Sequence, residues 1–352
     1  MSDERTPVVP ASTGTVGDRI VRAGVRVALG TSLLVSPRPV TLLLRKVFAA
    51  GGARTAAGLE KHAPAASSVV SLIDERYGSD PDMLLDVFRP ASASAALPTV
   101  MWVHGGGFLG GSKEELSSYF KLLASHGYTV VAPRYSLAPE HHYPTPTRQV
   151  MQALEYIQGN AERLQVDPDR VVIGGDSAGA QIAAQVGALE TTPGYADAVG
   201  VAPTITSVQL RGLVLACGQY AVQLPSDVST PAGRKYFHTV LWAYSGKRNY
   251  LDDPAFATLS VADHVTSEFP PALLTVGNVD PLRPHSELLV EKLRTQGAQP
   301  ETLFYPNDYE PPLNHEYQFD LDTDAGQLFL ERMLAFLQLH LQPFCRPSAT
   351  SQ

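Results

Sequence analysis

Beyond Ala65 the chain reads as short apolar runs separated by amphipathic stretches. Thr99–His104, Thr129–Pro133, Arg170–Gly174, Leu210–Ala216, Ala272–Gly277 and Thr302–Tyr305 are mostly continuous apolar segments of strand length. Strands buried on both faces, as in parallel sheets, have this pattern. Between them, Glu114–His126, Thr147–Leu164, Ala178–Leu189, Arg234–Ala243, Pro284–Gln296 and Asp324–Leu341 space their apolar residues at helical intervals. Strand alternating with helix predicts the α/β class: a doubly wound, mostly parallel sheet with helices on both faces. Ahead of this block, Val69–Glu75 and Met83–Phe88 flank Tyr77-Gly78-Ser79-Asp80-Pro81, which has the chemistry of a hairpin connection.

The N-terminal part has a different texture. Residues 1–17 read as a flexible tail, followed by two short helices, Ile20–Leu29 and Val40–Ala50, separated by Ser36-Pro37-Arg38-Pro39. Charge sets this segment apart. Although the 352-residue chain carries a net charge of -8, Asp18–Lys61 holds eight basic residues against Asp18 and Glu60, or +6. The acidic balance argues against nucleic acid as a partner. No apolar run reaches the roughly 18 residues of a membrane span. Only two cysteines are present, Cys217 and Cys345, too few for a disulfide scaffold or a cysteine zinc site, and Cys217 reads as a small core residue. A secretory signal is the competing reading of Val27–Val35, but the acidic extreme N-terminus and the lack of a small-residue cleavage pattern favour a cytoplasmic chain.

Two motifs bring chemistry to this frame. Gly175-Asp176-Ser177-Ala178-Gly179 lies between a buried strand and a helix, the context of the nucleophile elbow of α/β-hydrolases. Gly175 and Gly179 stand where a β-carbon would clash as strand and helix converge. Ser177 then projects from the carboxyl edge of the sheet at a helix N-terminus. Second, His104-Gly105-Gly106-Gly107-Phe108 follows the strand Val100–Val103. Glycines there let backbone amides approach a tetrahedral oxyanion, so the amides of Gly105, Gly106 and Ala178 are the expected oxyanion hole. His104 is read as a loop anchor, and Asp176 as a structural hydrogen-bonding group pointing away from Ser177.

An activated serine needs a base and a group that orients it, in the order serine, acid, histidine. Of the histidines after Ser177, His238 falls inside a helix, His264 has no strand immediately before it, and His285 opens a helix directly after Asp280. His315 lies in a proline-rich loop after the last strand. Asp280 ends the strand Leu273–Gly277 in the loop Asn278-Val279-Asp280-Pro281. The expected triad is therefore Ser177, Asp280 and His315. Phe108, Leu109, Tyr143 and Tyr220 are candidates for an apolar acyl pocket. Asp320-x-Asp322-x-Asp324 imitates a calcium loop, but Ala325 occupies the position that needs glycine, and a capped helix start explains the same residues. No metal site is expected.

With Leu137-Ala138-Pro139-Glu140-His141, Leu251-Asp252-Asp253-Pro254 and Asp280-Pro281-Leu282-Arg283 added to the two glycine motifs, the chain resembles the bacterial hormone-sensitive-lipase-like (family IV) esterases of the α/β-hydrolase superfamily. The resemblance implies an eight-stranded, mostly parallel sheet with a helical cap, and hydrolysis of small-molecule carboxylic esters through an acyl-enzyme without a cofactor. It places N-terminal cap helices at 18–65, a catalytic domain at 66–342 with a cap insertion at about 219–246, and a tail at 343–352. Two departures stand out: Arg134-Tyr135-Ser136 before the Leu-Ala-Pro-Glu stretch, and Glu316-Tyr317 after the histidine. A lactonase or amidase would use the same triad, and a non-catalytic ligand receptor would lack the base. Short- to medium-chain esters are the expected substrates. The basic N-terminal helices could alternatively touch an anionic membrane surface, although Gly24, Gly30 and the prolines interrupt an amphipathic helix. A homodimer is compatible with the sequence.

Overall fold

The computed structural model describes residues 36–224 and 231–342. The expected tail 1–17, the helix Ile20–Leu29, residues 225–230 of the insertion and the tail 343–352 lie outside the described residues. Strands β1 (Val69–Arg76), β2 (Leu84–Pro90), β3 (Leu97–Val103), β4 (Thr129–Pro133), β5 (Val166–Asp176), β6 (Leu210–Ala216), β7 (Ala272–Val276) and β8 (Glu301–Phe304) form one eight-stranded sheet. Its order is β1-β2-β4-β3-β5-β6-β7-β8. β2 pairs antiparallel with β1 and with β4, and the remaining neighbours run parallel.

Side chains alternate along each strand, so the sheet carries a core on each face. Met101 and Val103 of β3 pack with Leu154, Ile182 and Val186 on one side. Val100 and Trp102 join Phe120, Phe329 and Phe336 on the other. The covering helices are α1 (Arg38–Glu60), α2 (Ser117–Ser125), α3 (Thr145–Gly159), α4 (Ala178–Thr191), α5 (Pro231–Ser245), α6 (Arg283–Thr295) and α7 (Asp324–His340). The first core draws on α3, α4 and α6, and the second on α2 and α7. The direction of winding reverses between β3 and β5. Their carboxyl ends therefore leave the crevice where ligands settle in open α/β sheets.

Two helices differ from expectation. The stretch Thr147–Leu164 is not continuous: α3 ends at Gly159, Asn160 donates its side-chain amide back to the Tyr156 carbonyl at 2.9 Å, and a separate turn Ala161–Leu164 follows. An asparagine that bonds its own backbone competes with helix continuation. Conversely, Val40–Ala50 extends into the 23-residue α1. Pro39 sits in its first turn, where a missing N–H is harmless, and the alanine-rich second half tolerates Gly51, Gly52 and Gly58. The acidic run near residue 322 is a helix start: Thr323 Oγ1 accepts from the Gly326 amide at 3.1 Å, while Asp322 pairs with Lys61 and His62.

Candidate active site

Ser177 occupies the turn between β5 and α4 at φ +51°, ψ -116°, a backbone state of roughly 1–3 kcal/mol strain for a non-glycine residue. The turn is held by the Ser177 amide, which donates to the Ala216 carbonyl at 2.8 Å. Its tightness depends on the two glycines. A β-carbon on Gly175 would lie 2.5 Å from the Gly179 backbone, and one on Gly179 would lie 2.0 Å from the Val103 carbonyl oxygen. Neither position can carry a side chain.

His315 and Asp280 arrive from the far end of the sheet. Asp280 follows β7 and is buried, with one carboxylate oxygen accepting the Leu282 amide at 2.7 Å. Its other oxygen accepts from His315 Nδ1 at 2.8 Å, and His315 Nε2 stands 2.9 Å from Ser177 Oγ. The structure thus brings the three residues together in a chain of two hydrogen bonds. Burial opposes charge on the His315 ring, but the adjoining Cys217 and Asp280 outweigh it and raise its proton affinity. Cys217, Asp280 and His315 cluster closely enough to suggest a metal site, but both ring nitrogens of His315 are already engaged. In a second such cluster among the described residues, Asp80–Asp82–His141, Asp82 is paired with Arg134 at 3.0 Å.

His104 is buried, stacked on Tyr135 with ring centroids 4.3 Å apart, and its Nδ1 meets the Gly105 carbonyl at 2.9 Å. Burial pushes its pKa down to about 4, so the ring is neutral. It lies on the glycine loop, apart from the Ser177–His315–Asp280 chain. Asp176 accepts from Trp102 Nε1 at 2.8 Å, as a structural group. Burial and the nearby Glu316 charge drive its carboxyl well above the usual carboxylate range.

The expected oxyanion residues Gly105, Gly106 and Ala178 all border the cavity beside Ser177. Gly106 and Gly107, at φ +104° and +59°, form the turn of this loop. The acyl-pocket expectation, by contrast, needs correction. Of the four acyl-pocket candidates, only Phe108 lines the cavity. Leu109, Tyr143 and Tyr220 stand behind its wall: Leu109 and Tyr220 are fully buried, and the Tyr143 hydroxyl meets Thr258 and accepts from Gln185, both at 2.6 Å. Their apolar or aromatic character fits a core as well as a pocket, and composition alone does not separate the two.

The cavity above Ser177 measures about 680 Å³. Its floor includes Gly106, Gly107, Ser177 and Ala178. Its roof includes Val47, Phe48 and Gly52 of α1, with Tyr236, Phe237 and Val240 of α5. The sequence reading missed several contributors. Asn278 pins the His315 loop, accepting the Leu313 amide at 2.7 Å and donating to the Asn307 and Tyr309 carbonyls at 3.3 and 3.0 Å. Tyr135 fixes the glycine loop by donating to the His104 carbonyl at 2.9 Å. Glu115 and Glu316 add carboxylates to the cavity wall. An asparagine beside the acid in the Asn278-Val279-Asp280 turn was the one visible hint.

A family profile described as an alpha/beta hydrolase fold, Abhydrolase_3, matches residues 100–309. The carboxylesterase NlhH of Mycobacterium tuberculosis is 30% identical over 280 residues, covering 76% of this chain and 82% of its own. An alpha/beta hydrolase of Acanthamoeba polyphaga mimivirus, R526, is 25% identical over 224 residues, and the match spans 62% of each chain. Among solved structures, Esterase B from Lactobacillus rhamnosis superposes with a TM-score of 0.70 at 21% identity, covering 86% of this chain and 96% of its own. That last likeness carries the fold alone.

Proposed function

The chain belongs to the Abhydrolase_3 family of alpha/beta hydrolase folds, and from that premise we propose that it is a serine carboxylesterase acting through an acyl-enzyme. One observation carries the reading: His315 bridges Ser177 Oγ at 2.9 Å and the buried Asp280 carboxylate at 2.8 Å. Ser177 attacks the ester carbonyl as His315 Nε2 takes its proton, and Asp280 holds the ring and stabilises the imidazolium. The amides of Gly105, Gly106 and Ala178 receive the oxyanion. His315 then protonates the leaving alkoxide, and a water deprotonated by the same nitrogen releases the acid. Helices α1 and α5 act as the cap. The cavity volume suits esters of short to medium acyl chain.

A panel of p-nitrophenyl esters of increasing chain length tests this, using wild type and Ser177→Ala. Loss of roughly 10⁴-fold or more in kcat is expected from removing the nucleophile. Turnover retained in the alanine variant overturns the mechanism, and the chain-length optimum reads the depth of the cavity.

A further inference from the structure

Glu316 directly follows the base, and its backbone at φ +61° turns the side chain back toward the site. Its Oε1 lies 3.8 Å from His315 Nε2 and 3.1 Å from where a β-carbon on Gly105 would stand. Since Nε2 is the atom that hands a proton to the departing oxygen, a group this close belongs to the alcohol side of the substrate. A carboxylate there opposes hydrolysis of a neutral ester, because it repels the negative charge developing on the carbonyl oxygen. It becomes complementary once the alcohol portion carries a positive charge. We propose that Glu316 selects esters whose alcohol portion bears a protonated amine, an inference that rests on the carboxylesterase reading of this site.

The ionisable groups on the described cavity wall are Arg54, His104, Glu115, Asp176, Tyr236, His315 and Glu316. Arg54 is exposed on α1, whereas Glu316 brings a carboxylate within 3.8 Å of His315 Nε2.

The test compares two isosteric esters, 2-(dimethylammonio)ethyl butanoate and 3-methylbutyl butanoate, differing only by a charged nitrogen for a CH group. Wild type should favour the cationic ester in kcat/KM by about tenfold or more, and Glu316→Gln should remove most of that preference. Glu316→Lys should invert it. Equal kcat/KM for the two esters in wild type overturns the inference while leaving the carboxylesterase reading intact, and needs no variant to fold. Turnover of neither ester, nor of any p-nitrophenyl ester, overturns both. Preference retained in Glu316→Gln also rejects the assignment to this residue. Covalent labelling of Ser177 by a phosphonate checks that each variant keeps an assembled site.

Discussion

Two of the helices that border the cavity are held by opposite means. In α4, which starts at the nucleophile, every residue from Ala178 to Leu189 is buried. In α1, which crosses above, only Thr41 and Leu59 are buried, while Leu42, Leu43 and Val47 remain exposed. The floor is fixed by close packing against β5 and β6. The roof makes a thinner apolar contact through Leu44, Phe48 and Leu59, joined by polar links: Arg45 donates to the Leu109 and Ala138 carbonyls at 2.8 and 2.7 Å and pairs with Glu140, and Lys61 pairs with Asp322. Packing places a nucleophile with little freedom, as preorganised catalysis requires. A roof with so few buried side chains, helped by exposed ion pairs that are worth little each, is suited to opening.

The largest effect should come from breaking the floor. Gly179→Val forces a branched side chain into the 2.0 Å gap to the Val103 carbonyl, where neither backbone can yield. A loss of about 3 kcal/mol or more is expected, with no phosphonate labelling of Ser177. A variant with wild-type melting temperature and turnover would remove the packing account of the elbow. Next, Asn278→Ala frees the loop that carries His315 without touching the sheet. Because a shift of about 1 Å at a catalytic group can lower rate by roughly 100-fold, kcat should fall by about 10- to 100-fold with KM little changed. Titrating kcat against pH separates this positional loss from a change in the base itself.

These cases also show how much was written in the chain. The elbow and the glycine loop are local: strand, tight turn and helix are adjacent in sequence, so spacing alone exposed Gly175, Gly179 and Ser177. Asp280 and His315 were reached through chain order and the exclusion of His238, His264 and His285 by their positions. The Asn278 clamp and the carboxylates of Glu115 and Glu316 depend on approaches between distant segments. Nothing in local periodicity reports those. The same limit explains the misplaced Leu109, Tyr143 and Tyr220, whose apolar or aromatic character marks burial but not which side of a wall they face. Arg134 illustrates the point on the surface: it pairs outward with Asp82, while Ser136 meets Gln149 in the interior.

Weakening the roof should have a smaller effect than either change to the floor. Arg45→Ala leaves two carbonyls without their partner and Glu140 paired with Arg38 alone, so α1 should detach more readily by about 1–2 kcal/mol. Limited proteolysis within 38–60 should accelerate, and kcat/KM should drop by a few fold. The main melting transition should hold, since α4 and the sheet carry the core. A cooperative loss of the whole fold in this variant would show that roof and floor are one unit.

The smallest effect concerns Glu115, which sits where roof and floor meet. Gly52 of α1 makes room for it: a β-carbon there would lie 2.0 Å from the Glu115 carboxyl carbon. Burial, followed by the Glu316 charge, raises the Glu115 pKa to about 7, from an ordinary value near 4.5. The folded state therefore holds its proton more tightly than the unfolded chain. Stability from this group is full below about 4.5 and is lost as pH rises through about 7. Glu115→Gln, which cannot ionise, should raise the melting temperature at pH 8 by about 1–2 °C and leave it unchanged at pH 4. The same titration should appear in catalysis. Preference for a cationic ester should grow as pH rises through about 7 in wild type and stay flat in Glu115→Gln. A rising preference that survives the substitution would move the titrating group away from the seam between the two helices, and with it the idea that the roof helps set the charge of the site.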